Sequence, residues 1–451
     1  TVTAGSLKLN KTGTLASTIS MSGGKLDADE TSTVSGALSH SADIRIDVTS
    51  GKTLTYSGSP ISLGANTLTL SGGGSLVSGG LTLNNADSKL LLNSITLDNV
   101  TTSANSLGLY VNADSTVSSF SVGHITPVSI ASTKTLSGAI TVTSGSIKLA
   151  ETGTLDSSVL MSSGVLDADN SLTVSGALTH TGDITIDVAE TKTLTYSGPA
   201  ISLGANTLTL TGGGSLVSGG LTLNDPSSML LLNSITVDNV STTSDSLGLD
   251  VDADSTVTSL SVSHITPVSI ASGKILSGGI TVTAGSIKLA ETGTLASTIA
   301  MSGGTLDADN SLIVSGTLTQ SGDITLDVDT GKTLTYYSGT NVGIGANTLT
   351  VIGGGTLYNE NAIILDNTNS KLILNSVTLR VVTTSEASEG IDVDADSTVT
   401  SLVVGHITPL SIAEGKSLSG AIAVSAGSLK LNETGTLAST IAMSGGTLDA
   451  D

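Results

Sequence analysis

Gly5-Ser6-Leu7-Lys8-Leu9, followed closely by Thr12-Gly13-Thr14-Leu15, returns nearly unchanged as Gly145-Ser146-Ile147-Lys148-Leu149 with Thr152-Gly153-Thr154-Leu155. It returns again from Gly285 and starts a fourth time at Gly427, so the shifts are 140, 140 and 142 residues. A fixed period of this kind signals a modular, quasi-linear architecture and not one compact globule. A finer period lies inside it. Hydroxyl–aliphatic pairs recur as Thr14-Leu15, Thr33-Val34, Thr53-Leu54, Ser75-Leu76, Ser94-Ile95, Thr116-Val117 and Thr135-Leu136, in steps of 19 to 22 residues. Seven such steps fill one block.

Between the pairs lie runs such as Leu7-Lys8-Leu9, Ile44-Arg45-Ile46-Asp47-Val48 and Leu68-Thr69-Leu70. Apolar and polar residues alternate there, which is the period-2 pattern of half-buried strands. No 3.6-residue pattern persists. Two or three short strands closing every 20 residues predict an all-β fold: a single-stranded right-handed parallel β-helix, or β-solenoid, with coils of about 19–22 residues. Like side chains then stack coil on coil, Leu15 beneath Val34, Leu54 and Leu76. One Phe and no Trp leave a core built from aliphatic stacks. A leucine-rich repeat frame is not kept, and 2% aromatics cannot supply the girdles of an outer-membrane barrel.

The blocks divide the chain at 1–144, 145–284, 285–426 and 427–451, as one continuous solenoid. Solenoids grow by adding coils to one core. Roughly 22 coils spaced about 4.8 Å apart predict a rod on the order of 100 Å long. Both ends carry mid-array sequence, Thr1-Val2-Thr3-Ala4 matching 281–284 and Leu448-Asp449-Ala450-Asp451 matching 26–29. The expectation is a window cut from a longer array, or a subunit that associates end to end or laterally into fibres. Block three carries one extra residue near Tyr336–Asn341 and another between Tyr358 and Leu365, both placed between strand-like runs, where corners accept insertions.

Composition narrows the partners. With 38 acidic and 16 basic residues the formal charge is −22, which argues against nucleic acid and anionic membranes. There is no Cys, so neither disulfides nor thiolate metal sites form. No apolar run reaches 18 residues, so no transmembrane helix is expected. No Met start or basic leader is present, which fits a processed chain or a fragment.

Several constellations carry chemistry. Leu-Asp-Ala-Asp recurs at 26–29, 166–169, 306–309 and 448–451, and Asp47, Asp187 and Asp327 follow one coil later. Stacking places Asp27 over Asp47 about 5 Å away, an unfavourable like-charge pair. Calcium would relieve it, with Asp27, Asp29 and Asp47 as ligands, and likewise Asp167, Asp169, Asp187 and Asp307, Asp309, Asp327. The competing reading is a charge ladder that neutralises itself through Lys8, Lys148 and Lys288 one coil below. No other cofactor is expected. A D-x-D-x-D run at Asp250, Asp252 and Asp254, repeated at Asp392, Asp394 and Asp396, lacks the glycine and distal glutamate of an EF-hand. The Thr14–Thr135 hydroxyl ladder suits ice binding, or simply β-branched strand material. His124, His264 and His406 share the setting His-Ile-Thr-Pro, read as a corner fixed by Pro127, Pro267 and Pro409. Arg45 and Arg380 have no counterparts in the other blocks.

Gly-Ser-Leu-Lys-Leu…Thr-Gly-Thr-Leu coils, richness in Gly, Ser, Thr and Asp, and long near-identical blocks resemble large repetitive bacterial surface proteins. The nearest group is the filamentous-haemagglutinin and autotransporter-passenger stalks, and the resemblance is architectural. It implies secretion to the bacterial cell surface and a role in adhesion, cell–cell contact or envelope structure. Catalysis is not expected, because two Arg, seven aromatics and no long loops leave the elements of a sugar-active site missing. The function expected is an extracellular fibre, sheath or adhesin stalk. Cell-surface glycans are a further class of partner. Rival expectations are a glycan- or ice-binding repeat module and a polysaccharide-active β-helix enzyme.

Overall fold

The computed structural model describes residues 1–432 and 434–450. These residues are all-β and form about 22 parallel solenoid turns. The chain separates into two compact units, one of Thr1–Ser202 with Asn206–Gly220, the other of Leu203–Ala205 with Leu221–Asp451.

In the first unit, Ser6–Leu9, Lys25–Ala28, Ile44–Val48, Thr67–Ser71 and Lys89–Asn93 pair in succession, every pair parallel. The second repeats the scheme, for example through Ser286–Leu289, Thr305–Ala308, Ile324–Val328 and Thr348–Ile352. A second ladder in each unit carries the hydroxyl–aliphatic runs. Alternate residues turn inward: Leu26, Ala28, Ile46, Val48, Leu68 and Leu70 are all at most 1% exposed. Burying each large aliphatic contributes roughly 1.5–3 kcal/mol, and the parallel ladders satisfy the backbone groups around them.

The registers refine the expected stacks. Leu15 meets Val34, but Val34 meets Tyr56 and Leu54 lies opposite Ser32. Leu54 meets Leu76, which meets Leu97 and not Ile95. Val117 faces Gly138, while Leu136 faces Ser115. Each departure is two residues, which leaves every side chain on its expected face. The hydroxyl ladder is accordingly broken: Thr33 pairs with Thr55, and Thr53 with Ser75. Steps between partners run from 19 to 25 residues; the longest of the first block, 24, joins Asp47 and Ser71, and its counterpart in the third block, 25, joins Asp327 and Ile352.

The interior also holds rings. Phe120 is 1% exposed and lies between Val100 and Ile140. Tyr56, Tyr196 and Tyr336 are buried, and their hydroxyls accept the backbone N–H of Leu38, Leu178 and Leu318. A buried tyrosine is tolerated because its polar tip has that partner. Both block-three insertions fall between strands, one between Thr333–Tyr336 and Val342–Gly343, the other between Thr356–Asn359 and Ile363–Leu365. An apolar cavity of about 20 Å³ lies beside them, lined by Val314, Leu334, Tyr336, Val342, Leu349 and Ile363 among others.

Candidate functional site

The acidic columns form where the outward residues of successive strands coincide. In the first block Lys8 is in register with Asp27, and Asp27 with Asp47. Asp47 is followed by Ser71. Lys25 and Arg45 pair with each other on the same face, two residues before the aspartates. Lys25 Nζ lies 2.9 Å from Asp27 Oδ2 and 3.2 Å from Asp47 Oδ2. Lys8 Nζ spans Asp27 and Asp29 at 3.5 and 3.4 Å. Arg45 donates to Asp47 Oδ1 at 3.2 Å and through Nε to Ser71 Oγ at 2.8 Å. Ser71 Oγ in turn donates to Asp47.

Asp27 is therefore not a solvated surface acid. It is 4% exposed, roofed by lysine stems that keep their ammonium groups toward water. Burial alone pushes the Asp47 carboxyl up, but hydrogen bonds from Ser71, Arg45 and Lys25 outweigh it, so the net direction is down. Charge-assisted donors favour the ionised form.

The second and third blocks keep the aspartates and lose most of the cations. Val165 and Thr185 replace Lys25 and Arg45 in one, Thr305 and Thr325 in the other. Asp167 pairs with Asp187, and Asp307 with Asp327. Lys148 holds Asp167 at 3.0 Å and Asp169 at 3.5 Å. Lys288 holds Asp307 at 2.9 Å and Asp309 at 3.6 Å. The Asp167 carboxyl is pushed up by burial and by Asp169 and Asp187, against the pull of Lys148. Asp309 is raised by burial and by its hydrogen bond with Asp307. Asp327 is raised by burial, Asp329 and Asp309, opposed only by Lys288. The residue facing it is Ile352, where the first block has Ser71.

A glycine follows each facing residue. Gly72, Gly212 and Gly353 all have φ near +106°. A Cβ at Gly212 or Gly353 would run into the carboxylate of Asp187 or Asp327 and into the carbonyl of Val188 or Val328. In the fourth copy Lys430 lies 3.9 Å from Asp449, and Asp451 lies outside the described residues.

The D-x-D-x-D runs divide their labour. Asp254 and Asp396 accept the backbone N–H of Ile275 and Ser417 on the next coil, as Asp114 does for Thr135. Their first aspartates follow the residue one coil below. Lys371 pairs with Asp392 at 2.6 Å. Lys89 sits 3.9 Å over the Tyr110 ring. In block two Met229 stands at the lysine position, and the Asp250 carboxyl is pushed up by burial, Asp252 and Glu291.

His124, His264 and His406 stand at the bend before a strand, and Thr126, Thr266 and Thr408 donate to their carbonyls. Pro127, Pro267 and Pro409 lie inside the following strands and not in the corner. Among the described residues, no three His, Cys, Asp or Glu side chains are grouped so as to hold a metal ion, and no helix is long and apolar enough to cross a membrane. The repeat signalled Lys8 and the aspartates. It gave no sign of Ser71, and Lys25 and Arg45 show only as departures from the repeat. Compared with protein-family models, curated proteins and solved structures, the chain matches none.

Proposed function

We propose that this chain is a structural extracellular β-solenoid, a non-enzymatic part of a surface fibre, sheath or adhesin stalk, secreted to the bacterial cell surface. The observation that carries this reading is uninterrupted coil-on-coil pairing inside each unit, built from near-identical 140-residue blocks. Nearest-neighbour stacking lets such arrays lengthen by duplication without a new core. The resemblance to filamentous-haemagglutinin and autotransporter-passenger stalks supports the same reading. Electron microscopy with antibody labelling of source cells tests it: labelled filaments or a surface layer are expected, and label confined to the cytoplasm would overturn it.

A second reading concerns divalent cations. Asp167 with Asp187 and Asp307 with Asp327 stack with one lysine each. This excess of carboxylate is what supports calcium at these columns and at Asp169 and Asp309, where binding would have to draw the side chains together. Asp27, Asp29 and Asp47, already ion-paired with Lys8 and Lys25, are the weakest ligands of the three sets. A melting temperature raised by calcium and lowered by EDTA supports this reading; one indifferent to both removes it.

A further inference from the structure

The repeat breaks most sharply on one outward column of the third block. Thr335 pairs with Tyr358, and Arg380 follows on the next coil, beside the paired residues Leu357 and Leu379. The first and second blocks carry Val77 and Val217 at the tyrosine position, and Asp98 and Asp238 at the arginine position. Tyr337, one of the inserted residues, adds a second ring. Tyr337 and Tyr358 are 42% and 37% exposed and meet edge to face, centroids 6.2 Å apart at 66°. They form an exposed aromatic pair in a chain with only six Tyr, one Phe and no Trp.

Arg380 is fixed in place without a counter-ion. Its guanidinium lies 4.9 Å from the Tyr358 centroid. Its Nη1 donates to the carbonyls of Asn359 at 3.2 Å and Glu360 at 2.8 Å. Among the described residues no carboxylate pairs with it. Arg45, by contrast, is paired with Asp47. In a protein of charge −22, a half-buried arginine oriented by main chain and ring, whose Nε and Nη2 have no hydrogen-bond partner among the described residues, is set up to receive a carboxylate from outside.

We propose that Tyr337, Tyr358 and Arg380 form a binding site for a carboxylated sugar, a uronic-acid residue of a polysaccharide. A pyranose has an apolar C–H face that would stack on one of the two rings, the other bordering it. Its carboxylate would take the guanidinium fork, and its hydroxyls the Tyr tips and the Ser338–Thr340 hydroxyl pair beside Tyr337. An acidic peptide offers the carboxylate without the flat face. The site stands apart from the fibre reading, since binding is measured on the isolated chain whatever it assembles into.

The test is calorimetric titration of the full chain with hexagalacturonate, its methyl ester and hexaglutamate. Saturable binding of hexagalacturonate is expected, at least tenfold weaker for the ester and for Tyr358→Val and Arg380→Asp. Those variants restore residues that the same solenoid position carries in other blocks. Tyrosine-ring shifts on the parent chain, read by NMR during the titration, report binding at these rings independently of any variant. No binding at millimolar sugar, unchanged affinity in folded variants, or equal affinity for hexaglutamate would each overturn the assignment.

Discussion

Asp47 and Asp327 occupy the same place in two copies of one coil, and their carboxyls are displaced in opposite directions. Around Asp47 stand Lys25, Arg45 and Ser71, whose hydrogen bonds overcome its burial. Around Asp327 stand Asp329 and Asp309, with Lys288 the only cation among the described residues pulling the other way. Backbone, register to the preceding strand and the facing aspartate are alike. The difference lies in four residues: Lys25, Arg45, Thr49 and Ser71 in one, Thr305, Thr325, Asp329 and Ile352 in the other. A solenoid thus fixes where a side chain sits, while the coils on either side decide its chemistry.

Substitution of the glycine common to both columns should have the largest effect and the least discrimination. Gly72→Ala and Gly353→Ala force a Cβ onto a φ near +106° and against a carbonyl. Each should cost roughly 2–4 kcal/mol of local stability, read as lost amide-exchange protection in the surrounding strands. A benign alanine at either position would contradict the close approach. The aspartates themselves should separate the columns. Asp47→Asn removes charge-assisted bonds and should cost about 1–2 kcal/mol at neutral pH, whereas Asp327→Asn should be neutral or stabilising by up to about 0.5 kcal/mol. Equal losses would show that the cations around Asp47 contribute nothing.

Acid should act oppositely on the two. Asp47, with its folded value lowered, contributes stability above its unfolded pKa of about 3.9 and loses it as pH falls through the folded value. Asp327, with its folded value raised, costs stability at neutral pH and regains it as pH falls through the folded value toward about 3.9. Carboxyl-carbon NMR should therefore place the Asp47 midpoint below that of Asp327, and Lys25→Thr with Arg45→Thr should move Asp47 upward toward it. The smallest effect concerns packing. Val342 lines the cavity of the third block where Ile61 and Ile201 stand in the others. Val342→Ile should gain about 0.5–1 kcal/mol, and a loss would mean the cavity cannot admit a methyl group.

What the sequence made legible follows from parity. Leu26, Ile46 and Leu54 are inward, and Asp27 and Asp47 outward, because a strand alternates with period 2 and burial enforces the face. Slips of two residues preserve that parity, so alternation could not show that Val34 meets Tyr56 or that Leu76 meets Leu97. The lysine–aspartate pairing was readable because Lys8, Lys148 and Lys288 recur with their partners. Ser71 was not, since the coil between it and Asp47 is the longest step of its block and its length lies in loops without alternation. The rings of Tyr337 and Tyr358 and the guanidinium of Arg380 carry no repeat; only their departure from it marks them.

Every column depends on coils overlying one another in the stated register, and the absence of cysteine makes that directly measurable. Thr33→Cys can be combined with Thr55→Cys, its register partner, or with Thr53→Cys, its partner by simple sequence steps. Parallel neighbours lie about 4.8 Å apart, inside the range a disulfide spans, and a two-residue offset places the pair beyond it. Rapid oxidation of the 33–55 pair with the 33–53 pair left as free thiols is the predicted result. Preferential closure of 33–53, or of neither, would contradict the stacking from which every column described above is built.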